Sequence, residues 1–211
     1  MVLFADLNEQ DFGQIHTPID DMVFPPQAVL YSEGSQALGV FTLRKGMVKL
    51  LRSTADGRER IVRVLRPGDV IGLEALATSH YDSEAVAMVE SSVCRIPLSV
   101  MHHLSAHSPR LHLRLMQKWQ QALKDADDWL AELNFGTARQ RVAGLAMKMR
   151  DTEQPQFTSF FARDDMGAML DLKLETVSRE ISALVRDGLI KPLDKSGRRY
   201  EILDEQLLMS L

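Results

Sequence analysis

The sequence predicts an α+β protein: an N-terminal β-rich roll, one long helix, and a C-terminal helical unit that carries a small β wing. Three observations predict it. Residues 26–98 hold short runs rich in Val, Leu and Ile, broken at intervals by turn signals. Between Pro109 and Phe135 there is neither Gly nor Pro, and apolar residues recur at alternating steps of three and four. Residues 163–202 read as helix, three-residue turn, amphipathic helix and two short strands.

The roll is predicted by "GVFTLRKGMVKLLRS" and "RERIVRVLRPGDVIG", which alternate in places, as in Ile61-Val62-Arg63-Val64-Leu65. "ADG" at 55–57 reads as the hairpin turn between them and "PGD" at 67–69 as a second turn. Many short strands with regular turns indicate a small sandwich or barrel-like roll.

In the long helix, His112, Leu115, Trp119, Ala122, Ala126, Trp129 and Leu133 follow a heptad seam, and Met116, Leu123 and Leu130 run at sevens beside it. Two adjacent apolar stripes need two surfaces. The reading adopted is that one stripe faces the roll and the other a second copy of the helix, with Leu115, Trp119, Ala122, Ala126, Trp129 and Leu133 as the dimer seam. A single wide stripe against one core is the alternative. Phe135-Gly136 closes this helix, and Thr137 is placed to cap a second one over 137–150.

A polar loop over 151–158 leads to a helix at about 163–170, the turn Asp171-Leu172-Lys173, and the amphipathic helix that follows. In that helix Val177, Ile181, Leu184 and Val185 commit one face to a core. Glu175, Ser178, Arg179, Ser182 and Arg186 occupy the other. "IKPLDKSGRRYEIL" supplies two strands around a Lys-Ser-Gly turn. A helix-turn-helix with such a wing can lay its second helix in a major groove.

Charge sharpens this expectation. The formal net charge is −4, and residues 1–135 hold 13 Lys/Arg against 17 Asp/Glu, while 136–211 hold 12 of each. Within 172–199 seven basic residues face four acidic ones, a local excess of +3 suited to phosphate contact. Hydrophobic content of 45% and charged content of 26% fit a globular protein, and no run reaches a membrane span of about 18 apolar residues. The N-terminus has no basic flank before its apolar patch, so a cytoplasmic protein without a membrane partner is expected. A single cysteine, Cys94, forms neither an internal disulfide nor a cysteine metal site. No metal-ligand spacing, nucleophile motif or phosphate loop points to an enzyme.

The order of roll, long helix and winged helix-turn-helix resembles the bacterial family of the cyclic-AMP receptor protein and the fumarate-nitrate reductase regulator. "LRPGDVIGLEAL", the long helix after "SVMHHL", and "LETVSREI" carry the likeness. The resemblance implies a double-stranded β-helix (jelly-roll) of the cyclic-nucleotide-binding type over 1–105, a dimerisation helix over 106–135 and a winged helix-turn-helix over 136–211. It implies a homodimeric transcription regulator whose partners are double-stranded DNA and RNA polymerase. Glu175 and Arg179 fall on the family's base-reading glutamate and arginine, and Ser178 matches the Glu-x-x-Ser-Arg pattern of the fumarate-nitrate branch. That implies a half-site closer to TTGAT than to TGTGA. Arg bonds a guanine edge, Glu accepts from a cytosine amino group, and Ser serves either base. Lys173, Thr176, Ser182, Arg186, Lys195, Arg198 and Arg199 are then expected to support the helix or hold phosphates. The family usually has Gly in the turn where this chain has Asp171, a residue that tolerates positive φ. The residue-level alternatives are a solvated charged face with a Glu175–Arg179 ion pair, and a ligand-binding module whose winged helix contacts protein.

The family's cyclic-nucleotide contacts are not matched. Its Gly-Glu pair becomes Gly72-Leu73, its Arg-Ser pair falls on Ser83-Glu84, and no Lys or Arg lies between Arg66 and Arg95. A buried phosphate without a cation is costly, so cyclic nucleotide is not expected. A cysteine-held iron–sulfur cluster is excluded because the chain has no cysteine before the roll. Haem is the remaining familiar effector, with His80 the first ligand to consider and His16, His102 and His103 the others. A regulator with no small-molecule input is an equal expectation.

Overall fold

The structure is a computed structural model and describes residues 20–53, 59–133, 135–151 and 153–211. The "ADG" turn and His16 lie outside the described residues. The chain divides into two compact units, 1–125 and 126–211.

The first unit is a roll of two four-stranded antiparallel sheets. Strands β1 (Asp20–Phe24), β3 (Gly39–Lys45), β6 (Val70–Ile71) and β8 (Ser91–Pro97) form one sheet in the order β1-β8-β3-β6. Strands β2 (Val29–Tyr31), β4 (Val48–Ser53), β5 (Glu59–Leu65) and β7 (Glu84–Ala87) form the other in the order β2-β7-β4-β5. The register pairs Val40 with Ile96 and Val48 with Ala87, all four fully buried, so the apolar faces of both sheets close on one core. Gly46 joins β3 to β4 at φ +96°, and a Cβ there would lie 2.5 Å from the carbonyl of Glu90, so the turn admits only glycine. In the "PGD" turn Gly68 donates its N–H to the Leu43 carbonyl at 2.8 Å and Asp69 accepts from the Arg66 N–H at 2.8 Å.

Helix α1 (Leu98–His107) follows β8, and helix α2 (Pro109–Leu133) begins after one intervening residue, Ser108, whose hydroxyl accepts from the Leu111 N–H at 3.4 Å. Pro109 takes the first helical position, where its missing N–H costs nothing. Leu111 and Leu115 of α2 belong to the roll core, with Ala122 packed against it, and Lys118 Nζ donates to the Gly68 carbonyl at 2.9 Å.

The second unit holds helices α3 (Ala138–Lys148), α4 (Arg163–Leu170), α5 (Leu174–Arg186) and α6 (Glu205–Met209), with a three-stranded sheet in the order β10-β11-β9. Thr137 caps α3 as the sequence predicts: its hydroxyl accepts from the Gln140 N–H at 3.2 Å while the Gln140 side chain accepts from the Thr137 N–H at 2.6 Å. Strands β10 (Ile190–Pro192) and β11 (Arg199–Ile202) are the two predicted wing strands. The third, β9 (Phe157–Ser159), lies where the sequence reads as a polar loop. It is three residues long, and its central Thr158 is buried because the hydroxyl donates to the Ala146 carbonyl at 2.8 Å. A strand that satisfies its polar residue this way has no hydrophobic signature.

Candidate nucleic-acid interface

Helix α5 is fixed from beneath. Val177, Ile181, Ala183 and Leu184 are buried, while Glu175, Arg179, Ser182 and Arg186 are exposed and Thr176 and Ser178 are half-buried. Glu175, Ser178 and Arg179 are therefore displayed together on the face opposite the core. The Glu175–Arg179 ion pair is not formed among the described residues. Arg179 Nε lies 3.8 Å from Glu180 Oε1, and the Arg179 side chain keeps 70% of its exposure. Ser182 turns back on its own helix, its hydroxyl donating to the Ser178 carbonyl at 2.9 Å. Arg186 Nε lies 3.5 Å from Asp187, whose carboxylate also holds Arg139 at 2.7 Å.

The turn ahead of α5 has the geometry the sequence anticipates. Asp171 sits in the left-handed region at φ 53° and ψ 47°, with Lys173 extended at the start of the helix. A determinant that the sequence reading did not identify lies one turn earlier. At Gly167 a Cβ would stand 2.6 Å from the Leu172 carbonyl oxygen, so the glycine permits the close approach of α4 to the turn. A glycine inside an eight-residue helix was the available signal.

The wing is organised by Asp194. Its carboxylate accepts from the backbone N–H groups of Arg198 and Arg199, both at 3.1 Å, and from the Ser196 hydroxyl at 2.8 Å. These bonds hold the Asp194 carboxyl below the usual carboxylate range, the Arg198 N–H foremost. Lys195, Arg198 and Arg199 are all exposed there, but they are not equivalent. The Arg199 guanidinium lies 5.1 Å above the Phe157 ring, a cation–π contact that anchors it to β9. Arg163 braces the turn from below, donating to the Gly197 carbonyl at 2.9 Å and the Tyr200 hydroxyl at 3.1 Å.

In the roll, Leu73 is buried at the position where the resemblance expects a ribose-binding glutamate. Glu74 follows in a single 3-10 turn, Leu73–Leu76, and its Oε1 is buried without a hydrogen-bond partner. The Tyr31 hydroxyl is likewise buried and unpartnered, and its ring stacks on Tyr81 with centroids 3.7 Å apart. Burial raises the Glu74 carboxyl above its ordinary range, with the Asp82 charge adding to it and Arg63 opposing, and burial raises the Tyr31 phenol further. His80 is exposed in a turn, its Nδ1 2.8 Å from the Ser79 hydroxyl. Among the described residues no group of three or more His, Cys, Asp or Glu is arranged to hold a metal ion.

Within one copy, part of the expected dimer seam is turned inward. Leu115 is 4% exposed in the roll core, Ala122 packs against that core, and Leu133 is 1% exposed. Leu115 and Leu133 are thus buried within one copy and Ala122 partly so. Ala126 and Trp129 are half-buried and Trp119 is partly exposed. The outward stripe is instead Met116, Trp119 and Leu123, flanked by Leu113. It combines Trp119 of the predicted seam with Met116 and Leu123 of the line beside it, at steps of three and four. The sequence shows both lines, and only packing against the roll decides which faces inward.

An outward-facing helix behind a glycine-tight turn, a braced basic wing and a cyclic-nucleotide-type roll define a winged-helix, DNA-binding transcription regulator. Comparison with known proteins agrees: residues 21–108 match the cyclic nucleotide-binding domain and residues 140–211 the Crp-like helix-turn-helix domain. The chain is 30% identical to the transcriptional activator protein anr of Pseudomonas aeruginosa, over 86% of this chain and 76% of that one. It is 29% identical to the transcriptional activator protein FnrA of Stutzerimonas stutzeri, over 100% of this chain and 88% of that one. Its structure resembles FixK2 from Bradyrhizobium japonicum with a TM-score of 0.83 at 26% identity, covering 92% and 98% of the two chains. The protein belongs to the Crp/Fnr family of transcription regulators, which are not enzymes.

Proposed function

We propose that the protein is a homodimer that reads an inverted repeat of the TTGAT type through Glu175, Ser178 and Arg179. The observation that carries this is their joint display on the exposed face of α5, with Glu175 and Arg179 not consumed by a mutual ion pair. Lys173, Lys195 and Arg198 hold phosphates, and the outward stripe Met116, Trp119 and Leu123 pairs the two copies so that the helices enter successive major grooves. Two relatives carry the name of transcriptional activator, and by that likeness the working partner is RNA polymerase in the cytoplasm. We do not propose cyclic nucleotide as the effector, since the stretch 67–94 supplies no Lys or Arg for its phosphate. Haem ligated by His80 has no support from its exposed, Ser79-bonded position.

Selection from random duplexes at about 0.15 M salt, where nonspecific phosphate attraction is screened, tests the reading. Enrichment of TTGAT half-sites in inverted orientation is expected. A pool without a preferred sequence would transfer the winged helix to protein contacts instead.

A further inference from the structure

The roll unit contains a cavity of about 170 Å³ between α1 and the first half of α2, roofed by Leu76 of the 3-10 turn. One side is apolar: Met101, Leu115, Met116 and Trp119. The other presents two imidazoles and a hydroxyl, His102, His112 and Ser105, with Ser105 Oγ 3.4 Å from His112 Nδ1. Among the described residues no Asp or Glu lines it. The hydroxyl and the imidazoles each offer a donor as well as an acceptor, and no carboxylate repels a negative ligand.

Size and chemistry together limit the occupant. An apolar cavity of about 150 Å³ accepts one benzene ring, whereas larger ligands need pockets of about 300 Å³ or more. Thioethers and an indole favour an aromatic ring. A polar edge with imidazole and hydroxyl donors and no carboxylate favours a carboxylate over an ammonium group. The geometry points to a binding site for a single-ring aromatic carboxylic acid, distinct from the stretch around Glu74 and Ser83 where the family's nucleotide contacts fall. Met116 and Trp119 belong both to this cavity and to the outward stripe, so the ligand alters helix pairing; this last consequence rests on the dimer proposed above.

Sodium benzoate is the probe, titrated against the full chain carrying Trp129→Phe, which leaves Trp119 as the sole indole. A saturable fluorescence change with a midpoint near about 1 mM or tighter is expected. Benzyl alcohol should bind about tenfold more weakly, and His112→Gln should weaken benzoate by about tenfold while leaving the benzyl alcohol midpoint in place. Ser105→Leu should abolish binding by filling the cavity; its fold is checked by circular dichroism, and the His112→Gln arm stands alone if it fails to fold. A response linear in benzoate, or one equal in wild type and Ser105→Leu, overturns the site. Binding confined to a monomeric Leu123→Glu protein also overturns it, since a second copy would then fill the cavity. Benzoate binding by a wild type that sedimentation shows to be monomeric keeps the site and removes the pairing.

Discussion

Arg179 allows base reading to be tested one base pair at a time. Its guanidinium is exposed and bound only loosely to Glu180, so replacement by Ala removes little from the fold. If it bonds a guanine edge, Arg179→Ala costs about 1–3 kcal/mol at the preferred site and blurs the preference at one position. A loss of equal size on every duplex, measured by competition binding, would reduce Arg179 to a phosphate contact. Glu74 gives a second test at this scale. Burial raises its pKa, so the folded chain binds this proton more tightly than the unfolded chain does. The resulting stabilisation is complete below the ordinary carboxylate pKa and is lost as pH rises through the raised value. Glu74→Gln cannot ionise, so its Tm advantage over wild type should grow as pH rises from the ordinary carboxylate range toward neutrality. A constant difference across that range, by thermal melts, would show that Glu74 stays ionised in the roll. The face that carries Glu175, Ser178 and Arg179 was legible in the sequence because helical spacing separates it from Val177 and Ile181, and the family resemblance singled out these three. Glu74 was not, because its burial comes from distant strands and from Tyr31.

Among the elements, the wing separates shape from charge. Lys195 and Arg198 project from a turn that Asp194 ties through three hydrogen bonds, and Arg199 leans on Phe157. Lys195→Ala and Arg198→Ala should weaken binding uniformly across sequences, each reducing the slope of log affinity against log salt by about 0.9. Arg199→Ala should instead lower thermal stability with a smaller change in slope, because its charge is already engaged over the ring. Equal slopes for all three variants would mean that the Phe157 contact yields when DNA arrives. The wing strands and the turn were readable from "KSG" and the apolar runs beside it. Strand β9 was not, since its partner β11 lies about forty residues further along the chain and its buried central residue is the polar Thr158.

At the scale of the molecule, the long helix must satisfy two surfaces, and two substitutions about two turns apart separate them. Leu115→Ala cuts into the roll core and should cost about 2–5 kcal/mol of stability without splitting a dimer. Leu123→Glu, on the exposed stripe, should shift sedimentation to the monomer, with loss of affinity for an inverted repeat and a melting temperature that no longer depends on protein concentration. Should Leu123→Glu remain dimeric, the pairing surface lies elsewhere. The sequence by itself determined the order of the parts and the polar face of the second helix, because strand alternation, helical period and turn chemistry are local and survive without the fold; the class of protein came from the resemblance of its motifs. Only the tertiary structure decided which of two adjacent apolar stripes is core, which polar groups in the roll are buried, and where a cavity opens between α1 and α2. Each of these depends on which surfaces meet across long stretches of chain, and no local pattern encodes that.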